Sequence, residues 1–548
     1  MSLRKQSLGP VPEDTARVAR KAFKKGNLYI KIADELGEIY DFTDFIELFP
    51  EKGQSAKHPV RLLLATTLQF AEGLSDREAA EAVRSRIDWK YFLRLDLDDA
   101  GFDYTLLAEF RKRLLYHDKA HALLDKLIAA LKERGLIKSR GKQRTDSTHV
   151  LAAIRELNRL EFVHETMRST LESLAVAAEA WVTEVIPGEW YQRYGRRLFS
   201  FNSPKTEKER EKLACTIAED GWNLLRWIDE AHHMSWLSEI PAVVTLRAVW
   251  DQQFTKPPSP PRFLNQEEQL PAAERIASPH DTDARFSIKK DLEWAGYKVH
   301  LTETCDEGLP RLITNVETTV ATQPDWLALP AIHDALDSRA VIPADHMADT
   351  GYVSVANILD SRQTYGVRLI GPGMPDNSWQ ALTGGYDTSY FKIDWEAQTA
   401  TCPNGKVSRS WTPEKNGYTE VSFRPSDCYR CHYREICVQG TTKAGHPKAR
   451  HLHLRPREEF EVLEKARKCL KNEETKKLYM QRAGIEGTIS QAVRSCGTRT
   501  ARYRGFAKVR LEHVLTALAL NFTKLGEWLL GTPLAKTRKS HLQLLKSA

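Results

Sequence analysis

The sequence predicts a mixed α+β and α/β fold, in which a β-rich core with helices on its faces is interrupted by a large helical insertion. Two segments, "GYKVHLTET" from Gly296 and "RLITNVETTVAT" from Arg311, carry the strand pattern and predict a β-hairpin. Segments of helical period lie before the first strand and between the strands. The length, 548 residues, exceeds one ordinary domain, so we expect several units or large insertions.

The first strong helical region begins near His58. Gly73 ends one helix, and Ser75 with Glu78 forms the S-x-x-E capping box that begins the next. Two helices joined by a short turn with glycine fit a DNA-binding helix-turn-helix and an ordinary helical hairpin equally well. Both interpretations stay open at this point.

Three carboxylates stand out against this pattern. Asp146 lies inside the predicted strand "RTDSTHV", where a lone aspartate is disfavoured, and Asp349 follows a strand in "MADTGY". By itself Asp349 would be interpreted as a turn or N-cap residue. Glu486 forms a helical line with Tyr479 and Arg482 at i, i+3 and i+7. Three such carboxylates suit Mg²⁺, and two ions about 4 Å apart would assist phosphodiester displacement.

Gly484 and Gly487 flank Glu486 in "YMQRAGIEG". Each costs a helix interior about 1 kcal/mol relative to alanine. We therefore expect something to approach this helix closely. Two rival carboxylates, Asp281 and Asp283, are predicted to be loop residues because they follow a proline and precede no clear strand.

Four of the eight cysteines cluster in the sequence, namely Cys402, Cys428, Cys431 and Cys437. The Cys-x2-Cys spacing is a chelating one, and four thiolates would close a tetrahedral structural Zn²⁺ site. His432 could substitute for one thiol. The alternative is four reduced cysteines in the core or on the surface.

The charge is unevenly distributed, although the net charge is only +7. Residues 441–510 contain 18 Lys and Arg against 7 Asp and Glu, and residues 494–510 contain no acid. Basic residues interleaved with aromatic ones suit DNA. Our candidate phosphate contacts are Arg494, Arg502, Arg504 and Lys508. The chain has no apolar signal core and no apolar run of membrane-spanning length, so we expect a cytoplasmic protein.

These motifs resemble those of the DDE transposases of bacterial insertion sequences. In the cut-and-paste group, the third acidic residue lies in a Y-x2-R-x3-E-x6-K signature. Tyr479, Arg482 and Glu486 match its first three positions, but Val493 replaces the lysine and Arg494 follows one residue later. "TDSTHV" and "ADTGY" resemble the first-Asp and second-Asp strands, and the resemblance extends from about residue 58 to about residue 525.

The resemblance implies an RNase H-like core, with Asp146 on the central strand, Asp349 on the adjacent strand and Glu486 on a following helix. These residues would bind two Mg²⁺ or Mn²⁺ ions for strand cleavage and transfer at terminal inverted repeats. Arg482 would orient Glu486 or contact a phosphate, and Tyr479 would lie near the DNA end. The implied partners are double-stranded DNA and a second copy of the chain in the bacterial nucleoid, with no membrane and no small-molecule substrate.

The resemblance also sets the expected division of the chain. The segments are an N-terminal arm at 1–57, a helical DNA-binding domain at 58–137, the first part of the core at 138–156, a helical insertion at 157–277, the second part of the core at 278–400, a Cys-rich zinc-type module at 401–445, the glutamate helix with a basic segment at 446–530 and a basic tail at 531–548.

Two alternative functions remain. One is a catalytically silent DNA-binding regulator derived from a transposase, and the other is a different RNase H-like nuclease such as a resolvase. The intact carboxylates favour an enzyme over a regulator. The helical insertion and the basic segment suit a protein that grips long duplex ends.

Overall fold

A computed structural model describes residues 2–3, 7–199, 201, 203–289, 292–442 and 445–533 of the chain. The predicted basic tail, residues 531–548, therefore lies outside the described residues from 534 onward. Among the helices of the described part, none combines the length and apolar character needed to cross a lipid bilayer.

In the described part of the chain, seven α-helices precede the first long strand. They are α1 (Glu13–Ala22), α2 (Leu28–Leu36), α3 (Pro59–Glu72), α4 (Asp76–Ser85), α5 (Ile87–Leu93), α6 (Thr105–Tyr116) and α7 (Ala120–Glu133). The predicted boundary between α3 and α4 is confirmed. Gly73 ends α3 with a φ of 68°, and the Ser75–Glu78 capping box begins α4 with both reciprocal hydrogen bonds.

The next part of the chain is a long strand followed by five helices. They are β1 (Lys142–Leu151), α8 (Arg159–Ala177), α9 (Glu179–Val185), α10 (Gly188–Tyr194), α11 (Glu207–Glu230) and α12 (Pro241–Gln253). The five helices enclose a hydrophobic cluster of their own, which contains the buried Trp181, Trp190 and Trp250. Trp250 packs where a side chain at Gly221 would lie, so α11 and α12 approach closely at that glycine.

Strands and two covering helices follow. They are β2 (Arg285–Lys289), β3 (Leu292–Thr304), β4 (Ile313–Val320), α13 (Leu329–Ser338), β5 (Asp345–Ala348), α14 (Val355–Gln363) and β6 (Arg368–Ile370). The six-stranded sheet has the order β2-β3-β1-β5-β6, with β4 also paired to β3. β1 is antiparallel to β3 and parallel to β5, and the predicted β3–β4 hairpin is confirmed. The fold is thus mixed α/β, as predicted.

The remaining elements form a small β-rich module and then helices. They are α15 (Trp379–Thr383), β7 (Lys392–Asp394), β8 (Thr399–Thr401), β9 (Ser410–Pro413), β10 (Thr419–Ser422), α16 (Pro425–Tyr429), α17 (Arg434–Cys437), β11 (His451–Leu454), α18 (Arg457–Lys468), α19 (Glu473–Met480), α20 (Gly484–Cys496) and α21 (Phe506–Leu529). Helix α21 packs against β4 and α3, so one continuous hydrophobic core joins the N-terminal helices to the sheet.

A buried ionic network attaches α20 and α21 to the sheet. The fully buried Glu303 of β3 accepts hydrogen bonds from Arg144 Nε of β1 at 2.7 Å and Thr488 Oγ1 of α20 at 2.5 Å. Lys524 Nζ of α21 lies 3.1 Å from the same carboxylate. Burial raises the pKa of Glu303, but the two cations and the hydroxyl outweigh burial and lower it.

This network explains one of the two glycines beside Glu486. A Cβ at Gly484 would overlap the guanidinium of Arg144, whereas a Cβ at Gly487 would meet nothing within 4 Å. Our expectation that both glycines admit an outside partner was therefore wrong for Gly484. Its lack of a side chain makes room for a buried arginine of the same chain.

We predict that Gly484→Ala destabilises the protein and that the matched Gly487→Ala does not. Arg144 cannot swing aside without losing its bonds to Glu303 and to the carbonyl of Gln481, so the overlap should cost about 1–3 kcal/mol. The helix-propensity gain of alanine, about 1 kcal/mol, is common to both variants. Thermal unfolding should give a lower Tm for Gly484→Ala and an unchanged or higher Tm for Gly487→Ala. Equal Tm values would contradict the packing argument.

A carboxylate cluster as the candidate active site

Two of the predicted carboxylates lie side by side on neighbouring parallel strands. The β1–β5 register pairs Thr145 with Ala348, and one further step along both strands brings Asp146 beside Asp349. Asp146 is inside β1, and Asp349 directly follows the end of β5, as the sequence predicts. Asp349 Oδ1 accepts the backbone N–H of Gly351 at 2.9 Å, which holds this carboxylate at the turn.

The electrostatics of Asp146 reflect this neighbour. Burial raises the pKa of Asp146, and the negative charge of Asp349 raises it further. The backbone N–H of Ser147, 2.8 Å from Asp146 Oδ1, and the guanidinium of Arg482 act in the opposite direction. Two adjacent carboxylates that repel each other in a partly desolvated place suit a divalent cation between them.

Arg482 connects the third predicted carboxylate to this pair. Its Nη1 donates to Asp146 Oδ2 at 2.9 Å, and its Nη2 donates to Glu486 Oε1 at 3.2 Å. The guanidinium also lies 5.9 Å from the ring centroid of Tyr479. The predicted Tyr–Arg–Glu set therefore converges on Asp146, with the side chain of Glu486 still 63% exposed.

The prediction of one unbroken helix through these three residues was wrong. Tyr479 is near the end of α19, Arg482 lies in a 3-10 turn (Gln481–Ala483), and Glu486 is in the first turn of α20. The change to a tighter helix at Arg482 occurs where Arg144 Nη1 bonds to the carbonyl of Gln481. The orientation of Arg482 toward Asp146 is therefore determined by this tertiary contact and not by the period of a helix.

The three predicted carboxylates are the oxygen ligands that Mg²⁺ prefers, but in this structure they do not lie close together as one group. Within the described residues, no group of three or more His, Cys, Asp or Glu is placed to hold one metal ion. Asp146 and Asp349 are adjacent, while Arg482 stands between Asp146 and Glu486. The residues that could hold a metal are therefore the two aspartates first, with Glu486 separated from them by one guanidinium.

Sequence reasoning missed a fourth carboxylate at this place. Asp325 opens a 3-10 turn (Asp325–Leu327) after β4, and its side chain is only 10% exposed. Its Oδ1 is 3.0 Å from Lys298 Nζ, and its Oδ2 accepts from Ser147 Oγ at 3.1 Å. The segment "DWLALPAIHDAL" has the residue pattern of a helix, which does not single out its first residue. The local sequence around Asp325 does not indicate that this residue contacts Ser147.

His149 and the two rival carboxylates, Asp281 and Asp283, have packing roles. His149 lies against the ring of Trp294, with 5.7 Å between centroids. Asp281 Oδ1 accepts from the hydroxyl of Tyr297 at 2.6 Å, and Asp283 accepts the backbone N–H of Phe506 at 2.9 Å. Both rival carboxylates are thus bound to structural partners away from Asp146.

The predicted zinc site is not supported, and we correct that prediction. Cys402, Cys428, Cys431 and Cys437 do line one small cavity, but no metal-binding group is found among the described residues. The sulfurs of the first three accept separate N–H bonds, from Lys406, Arg450 and Asn404.

Burial raises the pKa of Cys428, and it raises the pKa of Cys437 to about 11. Cys402, Cys428 and Cys437 pack against the small hydrophobic core of this module. His432, the substitute ligand considered in the sequence, is exposed.

Three of the four predicted DNA contacts face outward. Arg494, Arg504 and Lys508 are exposed, and Arg504 Nε bonds to the carbonyl of Ala153 at 2.9 Å. Arg502 points inward instead. Its Nη1 donates to the carbonyl of Leu74 at 3.1 Å, and its guanidinium lies 4.7 Å from the ring centroid of Phe70.

Comparison with known families gives two matches. Residues 401–526 match a family described as "Transposase DDE domain", and residues 18–113 match one described as "Transposase domain (DUF772)". The first match contains Arg482 and Glu486. It begins after the two aspartates, which lie upstream in the chain. Searches of curated proteins and of solved structures return no match.

The two matched segments are the helical N-terminal region and the part that carries the predicted third carboxylate. Between them lie the parallel strands that bring Asp146 beside Asp349. A DDE domain is the part of a transposase that cuts DNA and transfers its strands. The two matches support a DDE transposase of an insertion sequence, and the DDE domain indicates a DNA-cleaving and strand-transferring enzyme.

Proposed function

We propose that the chain cleaves DNA at the terminal inverted repeats of an insertion sequence and transfers the freed strands, with Mg²⁺ or Mn²⁺ held by Asp146, Asp349 and Glu486. The observation that carries this proposal is the parallel register that brings Asp146 beside Asp349. Two carboxylates on adjacent parallel strands and a third on a later helix are what the resemblance to this transposase group implies.

The strand order supports an RNase H-like core. The central strand, β1, has the antiparallel β3 with its partner β4 on one side and the parallel β5 and β6 on the other. Helices α13 and α14 form the crossovers that parallel strands require. The helices α8–α12 enter between β1 and β2, at the position proposed for the insertion.

The chemistry follows from the donor set. When bound, two divalent ions would activate a water or a 3′-hydroxyl and stabilise the leaving oxygen. Asp146 and Asp349 are preformed on the sheet, whereas Glu486 lies on the partly exposed face of α20 and is bonded to Arg482. A guanidinium binds phosphate oxygens in bidentate fashion. We propose that Arg482 turns to a DNA phosphate and releases Glu486 toward the aspartates, with Tyr479 beside the DNA end.

Duplex DNA would lie along the exposed basic side chains Arg494, Arg504 and Lys508. The segment containing Arg504 runs beside the end of β1, since Thr500 bridges to Leu151 there. Arg502 does not belong to this proposed DNA-binding surface. Its guanidinium is directed inward and contacts Phe70 of α3. A homodimer would supply one active site for each of the two element ends.

We predict that Glu486→Gln abolishes cleavage while DNA binding is retained. Loss of a metal-binding carboxylate should lower the cleavage rate by at least the 10–100-fold that loss of a supporting group costs. The assay is cutting of a supercoiled plasmid with both element ends in the presence of Mg²⁺. Glu474→Gln is the matched control, because Glu474 is an exposed glutamate on the neighbouring helix α19.

Each result of this assay has a definite meaning. If Glu486→Gln cuts as well as wild type, Glu486 is not a metal ligand. If the wild type binds the ends but leaves them intact, the chain acts as a DNA-binding regulator and the catalytic proposal fails.

We predict that the salt dependence of DNA affinity depends on Arg494 and Lys508. Each phosphate contact that is removed should reduce the slope of log Kobs against log salt concentration by about 0.9. Arg457→Ala serves as the control, because Arg457 is an exposed arginine already paired with Glu396 and Glu461. Fluorescence anisotropy at several salt concentrations measures the slopes, and equal slopes for all three variants would remove this segment from the DNA-binding surface.

A further inference from the structure

The fourth carboxylate, Asp325, is bonded to two neighbouring strands of the sheet, β1 and β3. Its Oδ2 accepts from Ser147 of β1 at 3.1 Å, and its Oδ1 pairs with Lys298 of β3 at 3.0 Å. Lys298 Nζ also donates to the carbonyl of Gln323 at 2.7 Å. A buried carboxylate with these partners has a fixed orientation.

Asp325 is also adjacent to the turn that carries Asp349. A Cβ at Gly351 would lie 3.1 Å from Asp349 Oδ1 and 3.4 Å from Asp325 Oδ2, so both carboxylates border the same glycine. Asn357 Nδ2 donates to the carbonyls of Trp326 and Tyr352, at 2.8 Å each, and so joins the two turns.

The buried hydroxyl of Tyr352 experiences all of these charges. Burial raises the pKa of Tyr352, and the charges of Asp325, Asp146 and Asp349 raise it further. Tyr352 is held in place by a 2.6 Å bond between its hydroxyl and His300 Nδ1. The charges of three carboxylates therefore act on one buried hydroxyl near the end of the parallel strands.

We propose that Asp325 is a positioning residue of the active site, which fixes Ser147 and through it the carboxylate of Asp146. Ser147 has two contacts that transmit this effect. Its hydroxyl is held by Asp325, and its backbone N–H is held by Asp146 Oδ1 at 2.8 Å. Asp146 is thereby oriented from one side by Ser147 and from the other by Arg482. This inference rests on the proposed metal-dependent cleavage, in which Asp146 binds the metal.

The test compares variants that remove the contact in different ways. Asp325→Ala removes the acceptor, Ser147→Ala removes the donor, and Asp325→Asn keeps an acceptor of nearly the same shape. The double variant Lys298→Met/Asp325→Ala removes both charges of the pair, so that no buried lysine is left unpaired. Asp337→Ala is the control, because Asp337 is an exposed aspartate on α13.

The readouts are Mn²⁺ affinity of the DNA-free protein by electron paramagnetic resonance, the Mg²⁺ concentration for half-maximal plasmid cleavage, and Tm. We expect Asp325→Ala and Ser147→Ala each to weaken Mn²⁺ binding and raise the Mg²⁺ requirement about 10-fold, the lower end for groups that orient a ligand. Combining them should add nothing, because both break the same contact. Asp325→Asn should recover most of the loss, and Lys298→Met/Asp325→Ala should recover Tm but not Mn²⁺ affinity.

Other outcomes overturn the inference or the function separately. Wild-type Mn²⁺ affinity in Asp325→Ala, or its full recovery in Lys298→Met/Asp325→Ala, would show that Asp325 only balances the charge of Lys298. If the wild type binds Mn²⁺ but does not cleave, the proposed function fails and Asp325 is still judged by Mn²⁺ affinity. If the wild type neither binds Mn²⁺ nor cleaves the plasmid with Mg²⁺, both proposals fail.

Discussion

The buried carboxylate of Glu303 is the contact on which the placement of the active-site helix depends. It receives Arg144 from β1, Thr488 from α20 and Lys524 from α21, so one charged group joins the sheet to both C-terminal helices. Removing one partner of such a buried ionic group costs about 3–5 kcal/mol, because the others are left unpaired. The network therefore fixes where Glu486 can be, two residues before Thr488.

The same network determines the geometry around Arg482. Arg144 occupies the space beside Gly484 and bonds to the carbonyl of Gln481, which places the tight 3-10 turn at Arg482. From that turn, Arg482 contacts Asp146 and Glu486 together. A guanidinium between two carboxylates satisfies their charge without a metal, and it is also the kind of group that a DNA phosphate attracts. The arrangement thus couples the third carboxylate to whatever binds the arginine.

The rest of the chain divides into parts with different relations to this centre. The N-terminal helices share the hydrophobic core of the sheet through α21, so they support the active-site helices directly. Helices α8–α12 have a separate hydrophobic core. The Cys-rich module packs around Phe391, Val421 and Leu452, and three of its four cysteines lie against that core.

The sequence by itself determined the elements whose signals are local. The capping box at Ser75, the hairpin of β3 and β4, and the strands bearing Asp146 and Asp349 follow from residue patterns within a few positions of each other. Tertiary structure alone decided the contacts between distant segments. Arg482 and Asp146 are 336 residues apart in the chain, and Asp325 is 178 residues from Ser147. Local periodicity carries no information about contacts between residues so far apart in the chain. The role of Gly484, the turn at Arg482 and the place of Asp325 in the site therefore depend on how the buried charges are packed in the tertiary structure.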